Sequence, residues 1–176
     1  MRAVAWVGRK VWIAVLALVV GIVTPALARE RYGERESLAG LGGVYVLVED
    51  MAPDVERNGL TRSTLQTDVE VKLRQAGIRV LTEAERAVAP GSPFLYLRVA
   101  TMKSDGVGLY AVDIDLELNQ EVRLTRNPAI TSLARTWSAG GWVGIIGSRN
   151  LSRVRDTVRD AVDQFLNDYL AANPKR

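Results

Sequence analysis

Four carboxylates, Asp113, Asp115, Glu117 and Glu121, recur on odd positions of the segment VDIDLELNQEV, residues 112–122. Two chemistries use such groups: neighbouring acids can share a divalent cation, and a pair of carboxyl groups can cleave a glycoside. On an extended strand, alternate side chains point the same way but stand roughly 7 Å apart. Calcium gathers about 6–8 oxygens at 2.3–2.6 Å, usually from a loop that folds around it. A straight strand cannot draw four acids around one ion. Retaining glycosidases hold their two carboxyls about 5–5.5 Å apart, within reach of two of these acids, but such sites lie in deep clefts. The remaining reading is a solvated strand face neutralised by cross-strand partners, with Arg98 and Arg135 as candidates. Neither a metal site nor a cofactor is expected from this row.

Composition narrows the chemistry further. The chain has no Cys and no His, which removes thiolate nucleophiles, Ser-His-Asp triads, His-ligated zinc and the commonest general base near neutral pH. An enzyme here would have to work with carboxylates, Lys, Tyr, Ser or Arg. The expectation is no enzyme; the alternative is a carboxylate-based hydrolase acting on cell-wall glycan.

A second candidate is the Gly-rich run AGGWVGIIGS, residues 139–148, which leads into a helix. A phosphate cradle would need Lys-Ser/Thr after the last Gly, but Ser148-Arg149 follows instead. A dinucleotide fold would need a strand after the helix, and the sequence supplies none. What remains is a flexible composition carrying large apolar side chains. Two fates are open for the loop 139–147: it folds over the sheet and tucks into the core, or it offers an apolar surface to a partner. Under the second, the partner-binding residues are Trp137, Trp142, Val143, Ile145 and Ile146. The partner would be an envelope protein or a membrane-associated component.

The N-terminal residues address the chain. Arg2, Arg9 and Lys10 precede an apolar run from Val11 to Val23, and Ala26-Leu27-Ala28 supplies a cleavage signal before Arg29. Residues 1–28 therefore read as a signal peptide, with no membrane span left after cleavage and a periplasmic or secreted product. The formal charge of +3 is carried by those three basic residues, so the sequence from Arg29 onward balances. A nucleic-acid binder shows a basic excess on its domain; nucleic acid is excluded as a partner.

These candidates must be positioned by the elements around them. Residues 29–42 read as a loose lead and residues 43–174 as one domain. GVYVLVED (43–50) is a β-rich run, apolar on both sides, which suggests an interior strand. Residues 51–59 read as a polar connection. A helix starts at Thr61 or Ser63 and puts Leu65, Val69, Leu73 and Ala76 on one face before Gly77. IRVL (78–81) is a short strand, residues 82–93 a loop, and FLYLRVATM (94–102) a strand. From Tyr110 to Leu124 the even positions are apolar except Gln120, a strict two-residue period. ITSLARTWS (130–138) follows as a strand. A last helix from about Asn150 to Ala172 buries Leu151, Val154, Val158, Ala161, Val162, Phe165 and Tyr169, with Arg159 and Asp163 paired outside. The expected fold is an α+β two-layer sandwich: a mostly antiparallel sheet with two helices on one face, in the order β-α-β-β-β-β-α.

The phrasing GLTRSTLQTDVEVKLRQAGIRVL, then PFLYLRV, the long alternating strand, TWS and a closing VRDAVDQFLNDYLAANP resembles families of small exported bacterial envelope proteins of uncharacterised function. In element order the chain also resembles the lipopolysaccharide-assembly lipoprotein family and, more loosely, envelope proteins with an anticodon-binding-like sandwich. The lipid-bearing Cys of the lipoproteins has no counterpart here. The resemblance implies a non-catalytic accessory domain of the envelope and transfers no catalytic motif.

Overall fold

The computed structural model describes residues 33–104 and 106–174; the expected signal peptide lies outside them. Among the described residues the order is β1 (Tyr45–Val48), α1 (Pro53–Arg57), α2 (Arg62–Gln75), α3 (Glu83–Val88), β2 (Phe94–Ser104), β3 (Leu109–Leu124), β4 (Asn127–Ser138), β5 (Trp142–Gly147) and α4 (Val154–Ala172). Short 3-10 turns occupy Glu36–Leu38 and Ser148–Arg153. This is the expected α+β two-layer sandwich, with a mixed sheet and its two long helices on one face.

The sheet order is β1-β2-β3-β4, with β5 also on β3. β1 and β2 are parallel and the other pairs antiparallel, so one crossover, through α1 to α3, separates the first two strands. β2 fills one side of the long strand β3. The other side is shared: β4 pairs its C-terminal half and β5 its N-terminal half.

Alternation decides which side chains are inside. Val46 and Val48, Leu95, Leu97 and Val99, and the even positions Tyr110 to Leu118 are buried beneath the helices. α2 contributes Leu65, Val69 and Leu73, and α4 contributes Val154, Val158, Val162 and Phe165. Each helix thus lays one stripe on the sheet. The two helices are joined outside by Arg155 to Asp68, at 2.7 and 2.9 Å, and by Lys72 to Asp163. The expected Arg159–Asp163 pair does not form, because Asp163 faces α2 and Arg159 turns to Asp156 within its own helix.

Several local expectations are corrected. β1 is not interior; its outer side meets only an isolated bridge between Val44 and Val80, which is all that forms of the predicted strand 78–81. The polar connection 51–59 contains α1, which starts on Pro53 and buries Val55. The loop 82–93 contains α3, begun by a capping box: the Thr82 N–H donates to the Glu85 carboxylate at 2.8 Å, and the Glu85 N–H to the Thr82 hydroxyl at 3.2 Å.

The lead is not loose over its described part. Leu38 is fully buried in the main cluster. The Ser37 hydroxyl donates to the Thr136 carbonyl at 3.0 Å, Asn173 donates to the Leu38 carbonyl at 2.9 Å, and the Gly40 N–H donates back to Asn173 at 2.8 Å. Gln120, the polar interruption in β3, serves the same junction. Its amide donates to the Ser37 carbonyl at 3.3 Å and to Thr136 Oγ1 at 2.8 Å. Thr136 is the residue skipped in the pairing of β4 with β3, since the register steps between Leu118↔Trp137 and Asn119↔Arg135. That one-residue bulge re-aims the strand, so that Trp137 enters the core and packs edge-on against Phe165 with ring centroids 5.1 Å apart.

If the lead is part of the fold, Leu38→Ala should lower stability by about 2–5 kcal/mol and Trp137→Ala by about 3–5 kcal/mol. Urea unfolding followed by circular dichroism checks both. A loose lead would leave Leu38→Ala unchanged.

Candidate functional site

The acidic row stands on the face of the sheet away from α2 and α4, paired as its strand register demands. Arg98 lies directly opposite Asp115. It binds Asp113 at 2.7 Å and also Asp115. Arg135 binds Glu117 at 3.0 Å. These contacts hold both guanidiniums more firmly charged than usual: Arg98 through Asp115 and then Asp113, and Arg135 through Glu117. All are part-exposed pairs, each worth little in stability. Among the described residues no group of three or more Asp, Glu, His or Cys is disposed to hold a metal ion. Two cavities of about 530 and 540 Å³ lie elsewhere, one between α2 and α4 and the other between the lead and α3.

The Gly-rich run is a strand, not a loop. β5 pairs with β3 from Ile114↔Trp142 to Leu109↔Gly147. Relative to β4 its register is displaced by one residue, taken up at Ala139, Gly140 and Gly141. Gly140 has a φ of 82°, a left-handed conformation that costs glycine little.

This geometry divides the five residues expected to bind a partner. Trp137 leaves the set: it is 1% exposed, and its indole N–H donates to Asp168 at 3.0 Å. Ile146 is opposite Tyr110 on the helix side and packs against the core. Trp142, opposite Ile114, is also on the helix side, and its ring lies over Gly144, where a Cβ would come within 2.3 Å of a ring carbon. It thereby covers an edge glycine while remaining 39% exposed. Val143 and Ile145 point to the open face and are 77% and 75% exposed.

Those two join residues the sequence reading had not singled out. Ile145 is opposite Ala111, and Ala111 is opposite Met102, which makes one row across three strands. Met102 is 72% exposed, and Leu109, in the adjoining row, is also exposed. Strand parity was the available signal: with Leu95, Leu97 and Val99 inside, Met102 must face out. The open face therefore has a charged middle and an apolar end. At the opposite end α3 lies over the starts of β1 and β2, with Arg86 5.7 Å from the Tyr45 ring centre and 5.4 Å from that of Phe94.

One further polar contact ties the helix layer to the sheet. Tyr110 donates its hydroxyl to Asp54 on α1 at 2.7 Å. This bond holds the Asp54 carboxyl below its ordinary value, assisted by the charge of Lys103, and pushes the Tyr110 hydroxyl above its own. A phenol held protonated against a carboxylate is a brace rather than a nucleophile. A carboxylate with a lowered folded-state pKa contributes stability that is present above its unfolded value, about 4, and lost as pH falls through the lower folded value. The protein should therefore lose melting temperature below about pH 4. In Tyr110→Phe that acid-side loss should be smaller, as thermal melts in a pH series would register.

Compared with protein-family models and with curated proteins, the sequence matches none.

Proposed function

We propose that this chain is a non-catalytic accessory domain of the bacterial envelope, exported to the periplasm, which binds an envelope protein or membrane-associated partner through β5 and the apolar end of the open face. The observation that carries this reading is the row Ile145–Ala111–Met102 with Val143 beside it, mostly exposed on paired strands. Large apolar side chains on ordered strands gain free energy when a partner removes them from water, at about 25 cal/mol per Å². Tryptophan, as at position 142, is enriched among residues that dominate interfaces.

The charge pattern supports a protein partner over nucleic acid. Arg98 and Arg135, the cations beside the acidic row on this face, are engaged by carboxylates. It also argues against a glycan hydrolase, because Asp113 and Asp115 share one guanidinium on an open sheet rather than facing each other across a cleft. No helix among the described residues is long and apolar enough to cross a membrane, in keeping with a chain held by its contacts after export.

Export predicts a processed chain beginning at Arg29 in the periplasmic fraction, as read by intact mass. Full-length protein in the membrane pellet would contradict it. For the contact surface, a photo-crosslinking side chain at position 145 of the exported chain should capture an envelope component. The adduct should weaken when Val143→Asp is added, and should be absent from position 123 beyond the charged row. Val143→Asp should change folding stability by no more than about 0.5 kcal/mol, as for other surface substitutions. Release of peptidoglycan fragments, abolished by Asp113→Asn or Glu117→Gln, would overturn the reading in favour of the hydrolase.

A further inference from the structure

The exposed edges of this sheet are not equally protected. β1 is blocked at its start, where the Val44 N–H donates to the Arg79 carbonyl at 3.0 Å and its carbonyl accepts from Leu81 at 2.9 Å. β4 carries Pro128, Arg135 and the Thr136 bulge, the usual means of discouraging a further strand. β5, Trp-Val-Gly-Ile-Ile-Gly, has no charge, no proline and no internal register shift.

The phase of its main chain follows from one bond. The Ser148 N–H donates to the Gly108 carbonyl at 2.9 Å, so Gly108 and Ser148 form a hydrogen-bonded pair. Stepping by two along the ladder, Tyr110–Ile146, Val112–Gly144 and Ile114–Trp142 are pairs of the same kind. The peptide groups of Val143 and Ile145 consequently point away from β3, and among the described residues no strand lies beyond them.

The geometry points to a second copy of this chain as the occupant of that edge, with β5 pairing antiparallel to its own counterpart about a twofold axis at Gly144. Three features select this register. The outward peptide groups of Val143 and Ile145 meet those of the partner's Ile145 and the partner's Val143, as hydrogen-bonded pairs require. Directly opposed residues share a face, so Val143 packs beside the partner's Ile145 on the open side, while Trp142 lies beside the partner's Ile146 on the helix side. At the axis Gly144 faces its own copy, where two side chains would compete with the Trp142 rings.

Charge is complementary at both ends. Arg149, exposed and without an ion pair among those formed by the described residues, follows the end of β5. In this register it arrives beside the partner's 139–141 segment. There the Gly141 backbone runs so close to Asp115 that an added Cβ would lie 2.9 Å from its carboxylate. Asp113 and Asp115 against the single Arg98 leave that spot net negative. A six-residue edge buries less than the roughly 1,200–2,000 Å² of a stable standard interface, so the dimer is weak and concentration-dependent. Side by side, the two copies would merge their apolar rows into one surface.

The inference rests on the reading of β5 as a contact strand. It is measured on purified protein alone, so its failure is separable from that of the partner reading. Sedimentation velocity on the purified exported protein between roughly 1 and 100 μM should show a monomer–dimer equilibrium. Ile145→Lys should weaken it by about tenfold or more without altering the melt. The chain has no native cysteine, so register can be read directly. Val143→Cys protein mixed with Ile145→Cys protein should form a disulfide-linked dimer under oxidation, because Cα atoms of such pairs lie about 5.5 Å apart. Each variant alone should not. A chain that stays monomeric throughout overturns the proposal, as does oxidation of either variant alone as readily as of the mixture. If position 145 of a strictly monomeric chain still crosslinks to another envelope protein, the edge serves a heterologous strand and the twofold is wrong.

Discussion

The unbroken two-residue period of β3 is the constraint on which the domain depends. Every other strand except β1 pairs directly with this 16-residue strand. Its inner row from Tyr110 to Leu118 is the floor on which the helices rest, and each large side chain fully buried there contributes about 1.5–3 kcal/mol. Its outer row spaces the acids that Arg98 and Arg135 bind. A shift of one residue would exchange the two rows, placing aspartates under the helices and leucines in water.

The strand has only two sides, and three neighbours divide them. With β2 along one side, β4 and β5 follow each other along the second, and each takes its phase from an extra residue. The bulge at Thr136 sends Trp137 inward to Phe165. The offset at 139–141 then sets Trp142 and Ile146 toward the helices and Val143 and Ile145 away from them. Trp137 thus supplies core, while Val143 and Ile145, a few residues further on, stand in water. Main-chain phase decides between them, not hydrophobicity.

This explains what the sequence could and could not reveal. The sandwich, the long strand, the two helix stripes and the arginine partners of the acids all follow from periodicity, which survives in one dimension. β5 was hidden because Gly144 and Gly147, with Gly140 and Gly141 just before it, mimic a loop, and a strand so rich in glycine is legible only once its partner is known. Trp137 was misplaced because no pattern announces a one-residue bulge. α3 was legible: Thr82 and Glu85, three apart, are a capping-box signature, masked by the Pro-Gly-Ser-Pro run that follows. Met102 and Leu109 were missed because a row across strands joins residues that stand apart in sequence.

The junction between the lead and the end of α4 bears on the order in which the molecule can be assembled. Gly40 and Asn173 are 133 residues apart, as are Arg35 and Asp168, and both contacts close nearly the whole chain into a loop. Loops of that span carry a large entropic cost that is recovered only when the far end arrives. The seat of Leu38 therefore stays open until the last turn of α4 has been made and released. A chain that emerges from a ribosome or a membrane channel in N-to-C order travels with its core unfinished. Topology alone postpones the native state of this domain until α4 has emerged.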